Sequence, residues 1–259
     1  MDHRSNAAAP GEVAPTRPGR VSAFVRSLLM TQAKVIAVER IDTSFCVVAL
    51  HSPAFCKHAW VPGQKVQIAM GPALATRTYT PIDWDGNAGL TRILGYAHGE
   101  GPGSAWLARV QAGDRCDVFG PRASLDLRQA SGRAVLLGDE TSLGLAHALF
   151  MQGQAGPRDQ PRTAMQVLLE VRDVAGARAA ADHLALPGIE LFETAAIGAP
   201  IEHPIDARLQ ALAAEGATFI LTGNAAAIQR QRRNLRAQGV PSSRLLAKAY
   251  WAQGKTGLD

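Results

Sequence analysis

Near Ser131-Gly132 the hydrophobic pattern of this chain changes its period, and that change constrains the fold more than any single residue. Before it, apolar residues come in short runs. Val35-Ile36-Ala37-Val38 and Phe45-Cys46-Val47-Val48-Ala49-Leu50 are two such runs, and Val66-Gln67-Ile68-Ala69-Met70 alternates after the turn Pro62-Gly63. Leu90 to Ala97 and Arg115 to Phe119 complete the set, with Asp85-Gly86-Asn87 and Gly113-Asp114 as turn signals between them. Short, regularly spaced strands of this kind predict a small antiparallel β-barrel. After the change, strands and helices alternate. Strands are expected at 134–137, 165–171, 189–193, 218–221 and 245–249, with helices at 141–152, 174–184, 205–215 and 225–238 between them. Such alternation implies a doubly wound parallel sheet. The expected organisation is a flexible tail and short helix over 1–30, a barrel over 31–130, and an α/β domain over 131–259.

With 259 residues, 47% of them hydrophobic, the chain is long enough for two units sharing a sizeable core. Its formal charge of +5 favours anionic ligands such as nucleotides or acidic chelates. Nucleic acid is not expected as a partner: aromatic content is 5%, and no Lys/Arg run is longer than Arg232-Arg233. Cys46, Cys56 and Cys116 form no CxxC pair, so reduced thiols in a cytoplasmic protein are expected. No secretory signal is visible at Met1-Asp2-His3-Arg4. No stretch approaches the roughly 18 apolar residues of a membrane span. Val21 to Met30 is interrupted by Arg26 and reads as a short amphipathic helix covering the core.

The most chemical stretch of the first half is Arg77-Thr78-Tyr79-Thr80-Pro81. On a strand, alternate side chains share a face, so Arg77 and Tyr79 point one way and Thr80 sits at the strand end. A guanidinium grips a phosphate bidentately, and a planar ring stacks on a tyrosine; a flavin nucleotide has both parts. Pro81 lacks an N–H and is expected to stop the ladder.

Other loops carry anion-binding grammar. In His98-Gly99-Glu100-Gly101-Pro102-Gly103-Ser104 the glycines let backbone N–H groups crowd an anion before a helix N-terminus, and Ser104 adds a hydroxyl bond or simply caps the helix. Gly120-Pro121-Arg122 follows the last barrel strand. Gly138-Asp139-Glu140-Thr141-Ser142 and Thr222-Gly223-Asn224 stand at the carboxyl ends of predicted strands, where doubly wound sheets bind ligands. Neither is GxGxxG. Arg230, Arg233 and Arg236 share one helical face and read as solvated charge. Arg172, just past a strand, would meet a 2′-phosphate or be plain surface charge. His51, His58, His98, His147, His183 and His203 are scattered, with core or surface roles expected and no metal site.

Taken in order, these motifs together with the terminal Tyr250-Trp251 resemble the siderophore-interacting proteins, FAD-dependent ferric-siderophore reductases of the ferredoxin-reductase-like superfamily. The resemblance runs from about Ala33 to Lys255. It implies an N-terminal antiparallel FAD-binding β-barrel followed by a nicotinamide-nucleotide-binding α/β domain. By position it implies that Arg77, Tyr79 and Thr80 contact FAD, with Tyr79 and Thr80 at the reacting centre, and that Gly101, Gly103 and Ser104 line its pyrophosphate. Gly138, Asp139, Glu140, Thr141 and Gly223 would form the NADPH or NADH side, and Trp251 would border the flavin. Lys65, Arg122 and Lys255 are the candidates for a basic rim that steers an anionic ferric siderophore. Ala123, Asn224 and Ala249 depart from the family's usual residues. The implied reaction is flavin-dependent reduction of a ferric siderophore with NAD(P)H, or a ferredoxin, as donor; a general flavin reductase or electron-transfer flavoprotein, and a non-redox siderophore carrier, are the alternatives.

Overall fold

The structure, a computed structural model, describes residues 30–70, 76–128, 130, 132–155, 165–194 and 204–254. The expected tail, the helix before Met30, and Lys255 lie outside them. Seven strands form the first sheet: β1 (Thr31–Arg40), β2 (Phe45–His51), β3 (Lys65–Ala69), β4 (Thr76–Tyr79), β5 (Pro81–Asp85), β6 (Leu90–Tyr96) and β7 (Arg115–Arg122). They pair in the order β4-β3-β7-β1-β2-β6-β5. The two edge strands, β4 and β5, are therefore neighbours in the chain, joined by Thr80 alone. A one-residue link spans at most about 7 Å. Flat, seven strands at their usual spacing would be about 29 Å across. The sheet must roll until edge meets edge, and Tyr79-Thr80-Pro81 is the seam of the resulting barrel. The β4 ladder ends at Tyr79, before Pro81, as expected, but Pro81 also opens a new strand, β5, opposite Ile93. The first residue of a strand is where proline is tolerated.

The barrel interior is filled by alternate strand residues, among them Val35, Val48, Val66, Ile68, Ile93 and Val118. Helix α1 (Pro102–Arg109) adds Leu107 to this core. Its last turn is held by Arg40, whose guanidinium donates to the Leu107, Ala108 and Val110 carbonyls at 3.0, 3.3 and 3.2 Å. A cation there complements the negative end of the helix.

The second sheet is parallel, in the order β10-β9-β8-β11-β12. Its strands are β8 (Ala134–Gly138), β9 (Met165–Val171), β10 (Ile189–Glu193), β11 (Thr218–Asn224) and β12 (Leu245–Trp251), and its helices are α2 (Leu143–Ala155), α3 (Val174–His183), α4 (Pro204–Ala214) and α5 (Ala225–Ala237). Val135, Leu137, Leu168 and Phe219 pack with α4 and α5, while Leu136, Val167, Leu169 and Ile220 pack with α2 and α3. Strands buried on both faces explain the continuous apolar runs. The second of these clusters takes in Phe45, Val47 and Ile82 of the barrel, so the two sheets share a core. The strand order reverses between β8 and β11, which makes the crevice above them the expected ligand position for such a sheet. β11 and β12 run farther than expected, so Thr222-Gly223-Asn224 belongs to a strand and Asn224 pairs with Trp251. No helix among the described residues is long and apolar enough to cross a membrane.

Candidate active site

The barrel seam faces the β8–β11 crevice, and between them lies a cleft of about 630 Å³. Arg77, Tyr79, Thr80, Tyr96, His98, Gly101, Gly103, Ser104, Thr141, Arg172, Tyr250 and Trp251 all line it. Arg77 and Tyr79 occupy alternate positions of β4, opposite Ile68 and Val66. Both meet the start of α1: a Cβ on Gly103 would lie 3.3 Å from Arg77 Cγ and 3.5 Å from the Tyr79 hydroxyl. A larger residue there would press on the strand. Pro102 has no N–H to offer, but the N-cap Gly101 makes no side-chain cap bond, so the first-turn N–H groups that follow Pro102 are left for an outside acceptor. Ser104 does not cap the helix; its hydroxyl donates to the His98 carbonyl at 3.1 Å and ties the glycine loop down. Arg77 Nη1 donates to the Thr76 carbonyl at 2.8 Å, and among the described residues the guanidinium makes no other hydrogen bond. Tyr79 packs on Trp106 with ring centroids 6.0 Å apart, and burial drives its phenol well above the usual range. A guanidinium, a helix N-terminus and an aromatic ring on one wall fit a dinucleotide carrying a planar ring system, which is the shape of FAD.

Across the cleft, Asp139 organises the sheet end. Its Oδ1 accepts from Thr141 N at 2.9 Å and Thr141 Oγ1 at 2.5 Å; its Oδ2 accepts from Asn224 N and Trp251 Nε1, both at 2.8 Å. Burial pushes the carboxyl up to about 6, against the pull of the Thr141 and Trp251 donors. Gly223, at φ +98, leaves the space that this carboxylate fills: a Cβ there would lie 2.4 Å from Asp139 Oδ2. Glu140 is buried too, at 4% exposure, and its Oε1 accepts from Tyr96 Oη at 3.2 Å and Arg172 N at 2.6 Å. Of the five residues expected on the nicotinamide side, Thr141 lines the cleft; Gly138, Asp139, Glu140 and Gly223 stand behind it and hold the turn together.

A row of rings joins the two sheets. Phe45 stacks on Tyr96 at 4.7 Å, Tyr96 on His98 at 5.5 Å, and His98 meets Trp251 at 5.2 Å. The Arg172 guanidinium lies over the far face of this row, with Cζ 5.6 Å from the Trp251 centroid. Burial, helped by Arg172, lowers the His98 pKa. Beside Trp251, the Tyr250 hydroxyl is hydrogen-bonded to the side chains of Thr80 and Thr222, and burial pushes its phenol up to about 12. Tyr250 thus bolts the barrel seam to the parallel sheet.

The expected basic rim is only partly there. Lys65, at the start of β3 opposite Arg122 of β7, is 5% exposed, so it does not present a solvated charge to an incoming chelate. Arg122 is exposed, lies over the Phe119 ring at 4.6 Å, and donates to Gln67 Oε1 at 3.3 Å; Gln67 itself lines the cleft. Arg230, expected to be solvated, pairs with the buried Glu170, which also accepts from Gln231 Nε2 at 2.9 Å. Tyr96, His98 and Tyr250 were not singled out as site residues from sequence; their cleft roles come from contacts far apart in the chain. Among the described residues, no three His, Cys, Asp or Glu side chains come together as a metal site.

Residues 53–125 match the family model described as Siderophore-interacting FAD-binding domain, a stretch that holds β3 to β7 and α1. The NADPH-dependent ferric-chelate reductase of Escherichia coli is 28% identical over 185 residues, which cover 70% of this chain and 68% of that one. Among solved structures, a siderophore utilization protein from T. fusca superposes with TM-score 0.62 at 24% identity, covering 89% of this chain and 95% of its own. The siderophore-interacting protein from Aeromonas hydrophila gives 0.64 at 21%, with 87% and 99% covered. A ferredoxin NADP+ reductase from Neisseria gonorrhoeae with bound FAD and NADP gives 0.64 at 15%, with 86% and 99% covered. The structural likenesses establish a ferredoxin-reductase-like fold, and the resemblance read from the motifs stands.

Proposed function

We propose that this relative of the siderophore-interacting proteins is an FAD-dependent oxidoreductase that takes electrons from a nicotinamide nucleotide and reduces the iron of a ferric siderophore. The observation that carries this reading is the meeting of Arg77, Tyr79 and the Gly103 helix start on one wall of a cleft whose other wall is the switch point of a parallel sheet. Arg77 and the start of α1 bind the phosphates of FAD, and Thr80, oriented by Tyr250, lies at the seam where the ring system is held. Bound there, FAD supplies the conversion of a two-electron hydride into the single electrons that Fe(III) accepts. Trp251, held edge-on by Asp139, closes one side of the cleft against water. Thr141 and the turn that Asp139 braces face the nicotinamide nucleotide, NADPH or NADH. The iron stays within its chelate's hard oxygen ligands until reduction weakens them. Arg122, bonded to the cleft residue Gln67, is the member of the expected basic rim that the described residues retain. Free thiols at Cys46, Cys56 and Cys116 suit a reducing, cytoplasmic compartment.

Steady-state assays of the FAD-loaded protein with NADPH or NADH, comparing ferric chelates, free flavin and a ferredoxin, test this. A kcat/KM for a ferric chelate at least roughly tenfold above that for free flavin supports it. Free flavin or a ferredoxin as the better partner would make the chain a general flavin reductase or electron carrier. A colourless protein that cannot be reconstituted with FAD would leave only the non-redox carrier.

A further inference from the structure

We infer that Arg172 selects anionic ferric chelates, with the Trp251 indole as its backing. The inference rests on the proposed function and names the residue that reads the charge of its substrate.

The backbone of Arg172 is fixed. Its N–H donates to Glu140 Oε1 at 2.6 Å, and the same oxygen accepts from Tyr96 Oη at 3.2 Å. The guanidinium is placed by a ring instead of by hydrogen bonds: Cζ lies 5.6 Å from the Trp251 centroid. That ring is itself fixed, by Asp139 at its Nε1 and by His98 at 5.2 Å. A cation over an indole is held by the ring's quadrupole while its N–H donors stay available. Among the described residues, no carboxylate or carbonyl receives an ion pair or hydrogen bond from this guanidinium. Arg40, Arg92, Arg128, Arg133, Arg208 and Arg230, by contrast, all spend theirs on protein partners. Arg172 is exposed and lines the cleft. A prepositioned, unspent guanidinium on a cleft wall is a binding group waiting for anionic oxygens.

Those oxygens have two sources: the chelate, or a phosphate of the nicotinamide nucleotide. The surroundings favour the chelate. Arg172 stands among the rings of Tyr96, His98 and Trp251 and just before α3, but that helix start is already capped by the Asp173 carboxylate, which accepts from Gly176 N at 3.0 Å, whereas the wall at Arg77 and Gly103 has a glycine N-cap with no side-chain cap bond. A flat, aromatic wall with one cation suits a bulky chelate of net negative charge.

Gallium(III) complexes read this without turnover, since gallium(III) replaces iron(III) in oxygen ligands and is not reduced. The FAD-loaded protein would be titrated with the trianionic gallium(III) tris-catecholate and with the cationic gallium(III) complex of desferrioxamine B, following tryptophan emission. Arg172→Gln should weaken the trianion roughly tenfold and leave the cation unchanged or tighter, and added salt should shrink the difference. Arg172→Lys should keep most of the preference. Equal trianion affinity in wild type and Arg172→Gln overturns the inference. So does a KM increase for NADPH, but not NADH, with trianion binding intact, which would assign the guanidinium to the 2′-phosphate. Failure of NADPH and NADH to reduce the FAD-loaded wild type would sink the proposed function instead, and the gallium titrations separate the two cases.

Discussion

A chain carrying Arg77→Ala and Tyr79→Leu together should fold and yet come out of purification colourless. Arg77 offers charge-assisted hydrogen bonds, each contributing about 1.5–3 kcal/mol when its acceptor is a phosphate. Stacking of a ring on an aromatic side chain contributes about 1–3 kcal/mol more. Removing both should raise the Kd for FAD by roughly a thousandfold, from a loss of about 4 kcal/mol. Arg77→Gln and Tyr79→Phe alone should each cost a fraction of this. Leucine is chosen because Tyr79 also packs on Trp106 and against the barrel core, and its bulk limits the cavity. The checks are FAD affinity, by quenching of flavin fluorescence on addition to apoprotein, and the apoprotein melting temperature. A double variant that melts cooperatively and binds FAD like wild type would mean that the phosphate and ring lie elsewhere.

Gly223→Ala should be among the most damaging single-atom-scale changes in the molecule. Gly223 has φ +98, and an added Cβ would lie 2.4 Å from Asp139 Oδ2 and 2.5 Å from its Cγ. The left-handed backbone costs an alanine about 1–3 kcal/mol. Displacing the carboxylate adds about 1–3 kcal/mol, because Trp251 Nε1 and the Asn224 amide lose their acceptor. A total of about 3–4 kcal/mol corresponds to a melting temperature lower by roughly 10 °C in a chain of this size. Gly99→Ala is the control. Gly99 has φ +69, but an added Cβ there would meet nothing within 4 Å, so it carries the backbone cost alone. Equal losses in the two variants would show that the Asp139 contact is dispensable. The Gly223 variant should also shift tryptophan emission, as the Trp251 edge is released; the Gly99 variant should not.

The elements were largely legible because their signals are local. β9 and β10 fall where the apolar runs placed them, and the helix ends differ from expectation by three residues at most. β5 was hidden by Pro81, which reads as a terminator although proline is tolerated at a strand's first residue. Strand alternation put Arg77 and Tyr79 on one face, and the glycine-rich helix start read as a second anion site; that Gly103 meets those two side chains is a tertiary contact, which only the family resemblance had implied. Other features are set by partners far along the chain. Tyr96 bonds Glu140 across 44 positions and Trp251 bonds Asp139 across 112, and no periodicity carries such pairings. The same holds for charge. Lys65, Arg122, Arg172 and Arg230 look alike as letters, yet one is buried in an interior strand, one borders the cleft, one rides on an indole and one neutralises a buried Glu170. Asp139 and Glu140 illustrate the reverse case: acidic residues in a ligand-type turn that are turned inward to hold it.

The most direct measurement is an anaerobic spectral titration of the FAD-loaded protein. NADPH or NADH should bleach the flavin absorption, and a ferric siderophore added afterwards should restore it, with about two equivalents of Fe(III) reduced for each flavin, because the hydride brings two electrons and each iron takes one. Bleaching that persists after the ferric siderophore is added, in the absence of oxygen, would contradict the assignment of the cleft to ferric-siderophore reduction.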